Sequence, residues 1–220
     1  MAAALRDVVR RLALPVARVL LVFAGMAAGL LVGPWLSTPR DNSAEAGFAR
    51  DMATHHAQAV EMAFVVRDTS TTDELRTLAS DIIVTQSTQR GIFMGWLQQW
   101  GLPQASARPR MAWMPGHAQM TAGGGVVLMN GVLMHGMATE AELEQLRNAT
   151  GVAAEILFLQ LMIRHHEGGI IMARAIAALS RREEVVQMAR SVQEGQQVEI
   201  TRMTELLTER GAHPFASLLQ

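Results

Sequence analysis

The sequence predicts an all-α protein: a four-helix bundle made of two duplicated helical hairpins, preceded by an N-terminal signal or transmembrane helix. Three observations predict it. The chain resembles itself at an offset of 110 residues, explicit helix start and stop signals recur from residue 41 onward, and an uncharged run follows a group of arginines at the N-terminus. The 220 residues suffice for one domain of ordinary size and an appendage. A hydrophobic fraction of 50% with 18% charged residues predicts a buried core.

Taken in order, the first element is the run from Val19 to Leu36, behind Arg6, Arg10, Arg11 and Arg18. Its length is near the lower limit for crossing a hydrocarbon core about 30 Å thick. Only Arg40 follows closely, so the positive-inside bias keeps the N-terminus cytoplasmic and places the rest outside, in the periplasm or at the cell surface. Ala44-Glu45-Ala46, the nearby tripeptide of cleavage-site type, lies well beyond the run. Residues 1–40 are therefore expected to persist as a signal-anchor; cleavage would make the protein secreted.

Residues 41–220 are expected to form one helical domain. It comprises a hairpin over 43–101, a Met-rich connection over 102–138, a short helix over 140–148 and a second hairpin over 152–211. Helices are predicted over 44–67, 73–100, 140–148, 152–179 and 182–210. Thr71-x-x-Glu74, Thr139-x-x-Glu142 and Ser180-x-x-Glu183 each have capping-box spacing. Gly101 before Pro103 and Gly211 before Pro214 read as helix stops.

Sliding the chain by 110 residues places Phe48, Met52, His55, His56, Met62 and Ala63 on Phe158, Met162, His165, His166, Met172 and Ala173. Ala79, Gln86, Leu97 and Gly101 likewise fall on Ala189, Gln196, Leu207 and Gly211, with no insertion in the turn. Neither hairpin can hide its apolar stripe alone, so the two are expected to pack with the first and third long helices facing each other. The 102–138 connection holds six Met and two His between Met111 and Met137. It reads either as an adaptable thioether loop or as an apolar flap built around Trp113 and Val126-Val127-Leu128.

The repeated motif is Met-x-x-His-His followed six residues later by Met-Ala. On a helix turning about 100° per residue, Met52, His55, His56 and Ala59 share a face, with the imidazoles straddling its midline. His55 lies one turn from Met52 and Asp51, so these three are expected to meet around one ion, with Met62 in another layer. Met162, His165, His166 and Met172 repeat the pattern with Leu161 in place of Asp51, predicting an imperfectly symmetric site. Imidazole with thioether suits copper, Cu(I) above all, because soft donors select it. Methionine at helical spacing also serves as core filler, but two copies in register favour ligands.

Other chemistries fail on composition or spacing. The chain has no Cys, which excludes disulfides, zinc knuckles, iron–sulfur clusters and thiol nucleophiles. A net charge of −1 gives no basic field for nucleic acid. His166-Glu167-Gly168-Gly169-Ile170 starts like a zinc-protease motif but lacks the second histidine. No Glu-x-x-His exists for a di-iron site, and no nucleophile elbow or phosphate loop occurs. Glu61, Glu155, Glu167 and Glu194 are expected to be surface or capping groups.

Phe48 through Ala63, Met134 through Gly151 and Phe158 through Ala173 resemble the bacterial family called domain of unknown function 305, over residues 43–211. The resemblance implies a ferritin-like four-helix bundle, exported or membrane-anchored, in a family some of whose members are linked to copper binding and tolerance. Carried over by position, the motif residues are Met52, His55, His56, Met62, Met162, His165, His166 and Met172, with Met134 and Met137 in the connection. Gly168-Gly169 stands where the family has Gly-Ala, and residues 115–133 are longer than usual.

The expected function is a membrane-tethered, extracytoplasmic protein that buffers or relays Cu(I) and catalyses nothing. Its partners would be the metal ion and, through the N-terminal helix, the membrane. A metal-free helical interaction or envelope module and a copper-dependent redox enzyme are the alternatives.

Overall fold

The computed structural model describes residues 38–115, 127–129 and 132–219. The expected anchor over 19–36 lies outside them, as do His117, Met120 and the Gly123-Gly124-Gly125 run. Among the described residues five helices form: α1 Ala44–Thr69, α2 Asp73–Gln99, α3 Glu140–Asn148, α4 Gly151–Leu179 and α5 Glu183–Glu209. Each lies within two residues of the bounds its sequence predicts. Among the described residues no helix is long and apolar enough to cross a membrane.

Local chemistry sets the helix ends. The Ser43 hydroxyl accepts the Ala46 amide at 3.2 Å and starts α1. At α3 the capping box forms: Thr139 Oγ1 accepts the Glu142 amide at 3.0 Å, and Glu142 Oε2 accepts the Thr139 amide at 2.7 Å. Helices α2 and α5 end alike. Gly101 and Gly211 have φ of 68° and 69°, and the amides of Leu102 and Ala212 reach back to the carbonyls of Leu97 and Leu207.

The other two expected capping boxes do not form. Thr72 and Arg182 occupy the N-cap positions of α2 and α5 without side-chain caps. Ser70 and Ser180 instead end α1 and α4, accept the amides of Thr72 and Arg182, each at 3.1 Å, and donate to Glu155 and Glu45. Both serines and both glutamates obey the 110-residue offset. Each hairpin turn is thereby tied to the first helix of the other hairpin.

The four long helices pack as a helical bundle. Helix α1 lies against α2, α4 against α5, and α1 against α4. One core cluster joins Met62 and Met162 with Val66, Leu75, Phe158, Met203 and Leu206; another joins Met52 and Met172 with Phe48, Phe93, Met111, Met134 and Met137. Residues early in α1 therefore share a cluster with residues late in α4, so the two helices run head to tail. The connection, expected to be irregular, contains a small ribbon: β1 Val127–Met129 pairs antiparallel with β2 Val132–Met134, Val127 opposite Met134.

Candidate metal centre

His55 and His165 meet where α1 faces α4. Their ring centroids are 3.8 Å apart with planes inclined by 34°. Each lies 6.4 Å from the ring of its sequence neighbour, His56 or His166. All four imidazoles are fully buried. Packing neighbours explain why adjacent residues diverge: His55 and His165 turn to the helix crossing, whereas His56 and His166 turn toward the second helix of their own hairpin.

Three of the rings are held through Nε2. That of His55 lies 3.0 Å from the His135 carbonyl oxygen, that of His56 2.7 Å from Gln89 Oε1, and that of His166 2.7 Å from Glu199 Oε2. Each partner is an acceptor, so Nε2 carries the proton and Nδ1 keeps a bare lone pair. In all three rings Nδ1 is buried without a hydrogen-bond partner, and in His165 both nitrogens are. A buried acceptor left unpaired costs free energy. Anchoring one ring nitrogen to an oxygen acceptor while freeing the other is how ligand histidines are oriented.

The connection packs against this layer. The amide of Gln58 exchanges two hydrogen bonds with Ala138, 3.0 and 2.8 Å long. Gly136 has φ of 73°, and the His135-Gly136 backbone presses on Arg164 and Gly168 of α4 so closely that neither glycine has room for a Cβ. The carbonyl of His135 is thus delivered to His55, while Met134 and Met137 enter the cluster that holds Met52 and Met172. Of the expected residues, Met52, Met172, Met134 and Met137 share one buried cluster, and His55 meets His165 and the backbone of His135. Met62 and Met162 lie in the other cluster.

The Asp51 carboxylate, expected beside His55 and Met52, is not turned to them but to the connection. It accepts the Met111 amide at 2.7 Å, Trp113 Nε1 at 3.0 Å and Arg110 at 3.4 Å. It fastens the connection to α1, where the Trp113 side chain packs so close to Gly47 that a Cβ there would clash with it. Nor are two of the glutamates surface groups. Buried Glu155 pairs with Arg210 at 2.7 Å, and buried Glu167 accepts from Ser217 and the Leu218 amide of the C-terminal tail.

Burial dominates the electrostatics. It lowers the His55 pKa to about 3 and the His56 pKa to about 4, and holds His165 well below the ordinary histidine value, with repulsion among the rings adding to the effect. These imidazoles are neutral at pH 7, the form that binds metals. Among the described residues no three His, Cys, Asp or Glu side chains converge as a ready cation cage. Any ion here would have to draw on the methionines or on a small shift of the rings.

Gln89, Glu199 and Gln58 were not found by sequence reasoning. The first two obey the offset, 89 onto 199, but differ in type, so a search for identical pairs passes over them.

Comparison with known proteins agrees with this architecture. The profile of DUF305, a domain of unknown function, matches residues 45–207. No curated protein matches the chain significantly. A candidate secreted DUF305 protein from Streptomyces coelicolor is similar in structure, with 43% identity and a TM-score of 0.70 over 80% of this chain and 99% of that one. A DUF305 fragment from Deinococcus radiodurans shares 32% identity, TM-score 0.60, over 76% and 96%. CopM in its Cu(II)-bound form shares 25% identity, TM-score 0.56, over 76% and 97%.

Proposed function

The chain belongs to the DUF305 family, and we propose that it binds copper, chiefly Cu(I), as a cargo held in the bundle core by imidazole and thioether groups. The observation that carries this reading is the set of buried Nδ1 lone pairs with no donor to meet them, beside a cluster of methionines. Cu(I) accepts both donor types and requires no further proton loss from them. The ligands come from His55, His56, His165, His166, Met52, Met172, Met134 and Met137, with Met62 and Met162 as a further thioether pair. Asp51 is committed to the connection. The Cu(II)-bound form of CopM supports copper as the metal, and the soft donor set supports the Cu(I) valence.

The same reading places the helical domain outside the cytoplasm, tethered to the membrane by residues 1–40. The arginine-flanked run in this sequence and the secreted description of the Streptomyces relative support that placement. In this reading the protein acts as a copper buffer or relay.

One observation favours a metal-free packing role: the His55–His165 contact, which fills the helix crossing with the two rings themselves. The two readings separate in one experiment. Cu(I), Cu(II) or Zn(II) is added to the purified protein against a competing chelator, and bound metal and melting temperature are recorded. Copper binding raises the melting temperature by mass action, and replacing His55, His56, His165 and His166 together with Ala abolishes it. Equal copper binding by the folded quadruple variant overturns the assignment; no binding by the wild type establishes the packing role.

A further inference from the structure

We propose that Glu199 decides the charge and number of the ions the histidine core accepts: one monovalent cation, offset by this single carboxylate. The inference rests on the copper reading and adds to it the valence, the count and the residue that sets both.

A cation taken from water into a bundle core is strongly penalised unless a negative group accompanies it. An imidazole ligand cannot provide one, because it carries no negative charge. Among the described residues the buried carboxylates Asp51, Glu155 and Glu167 are already committed, as is half-buried Glu142. Arg110 and the Met111 amide hold Asp51, Arg164 holds Glu142, Arg210 holds Glu155, and the C-terminal tail turns Glu167 toward itself. Glu199 differs, because the group that it holds is the buried ring of His166, at 2.7 Å.

The opposite half supplies the comparison. Gln89 stands at the position related to Glu199 by the repeat, and its amide oxygen holds His56 at the same 2.7 Å. Two isosteric groups thus grip two equivalent rings with the same geometry and differ by one unit of charge. An ion on Nδ1 of His166 has a carboxylate one imidazole away, whereas an ion on Nδ1 of His56 has a neutral amide there. One negative charge balances one Cu(I). It leaves a divalent ion, or a second monovalent one, uncompensated.

The test is the charge swap. Wild type, Glu199→Gln, Gln89→Glu and the double exchange Gln89→Glu/Glu199→Gln are titrated anaerobically with Cu(I) against a chromophoric chelator, and separately with Zn(II) as a redox-inert divalent probe. Circular dichroism and melting temperature report folding. Glu199→Gln is expected to weaken Cu(I) binding at least tenfold. The Gln89→Glu variant, with two carboxylates, is expected to gain at least tenfold in Zn(II) affinity, and the double exchange to recover wild-type Cu(I) affinity. Cu(I) bound as tightly by Glu199→Gln as by wild type overturns the inference while leaving the copper reading intact. A wild type that binds no copper overturns both.

Discussion

His55 and His56 are neighbours in sequence with different tasks, and their burial has a consequence in acid. An unfolded chain takes up protons on these rings near pH 6.5, whereas the folded core resists until about pH 3 at His55 and about pH 4 at His56. Between those limits the unfolded state binds more protons, so stability rises with pH. The contribution is complete above pH 6.5 and is lost as the pH falls toward 4. Thermal unfolding from pH 7 to pH 4 is expected to show a steadily falling melting temperature; a flat profile would contradict neutral buried rings. The doubled His-His pairs were legible because identical residues repeat at 110 positions. The grip on them was not: Gln89 and Glu199 differ in type, and the His135 grip is a backbone carbonyl, which any residue supplies.

At the scale of elements, glycines that look alike in sequence differ in what surrounds them. A Cβ at Gly168 would fall on the His135 carbonyl and the Gly136 amide, backbone atoms that cannot turn aside. Gly168→Ala is therefore expected to destabilise the protein by about 1–3 kcal/mol, as overpacking does, and to loosen the connection from α4. Gly91 and Gly95 of α2 have open space where a Cβ would stand. Replacing either with Ala removes backbone freedom from the unfolded chain and is expected to stabilise by about 0.5–1 kcal/mol. Chemical denaturation of the three variants measures both signs. Helix positions were readable from the caps and the glycine stops, since those are local. The failed boxes at Thr71 and Ser180 show where local reading ends: Ser180 has the correct spacing to Glu183, but its hydroxyl is drawn to Glu45 of the other hairpin.

For the whole molecule, the ties between hairpins are equivalent in position and unequal in strength. Glu155 receives Ser70, Thr72 and Arg210 together, whereas Glu45 receives Ser180. Glu155→Ala leaves the largely covered Arg210 guanidinium without its carboxylate and is expected to cost about 3 kcal/mol. Glu45→Ala removes a hydrogen bond and is expected to cost about 1 kcal/mol; comparable losses in a denaturant titration would refute the ranking. Duplication made the bundle legible, because two incomplete apolar faces have one economical partner. The destination of the connection was not legible, since its seat on α1 and α4 depends on Gln58, Asp51 and close backbone approach, none of which has a periodic signature.

The His55–His165 contact joins residues 110 positions apart in a single polypeptide. Two separate hairpins meeting through the same rings would part on dilution, and any metal held between them would escape as protein concentration fell. A covalent connection fixes the effective concentration of one half around the other, whatever the bulk concentration. The paired imidazoles therefore stay together at any dilution, and whatever affinity they have is a property of one molecule rather than of an encounter.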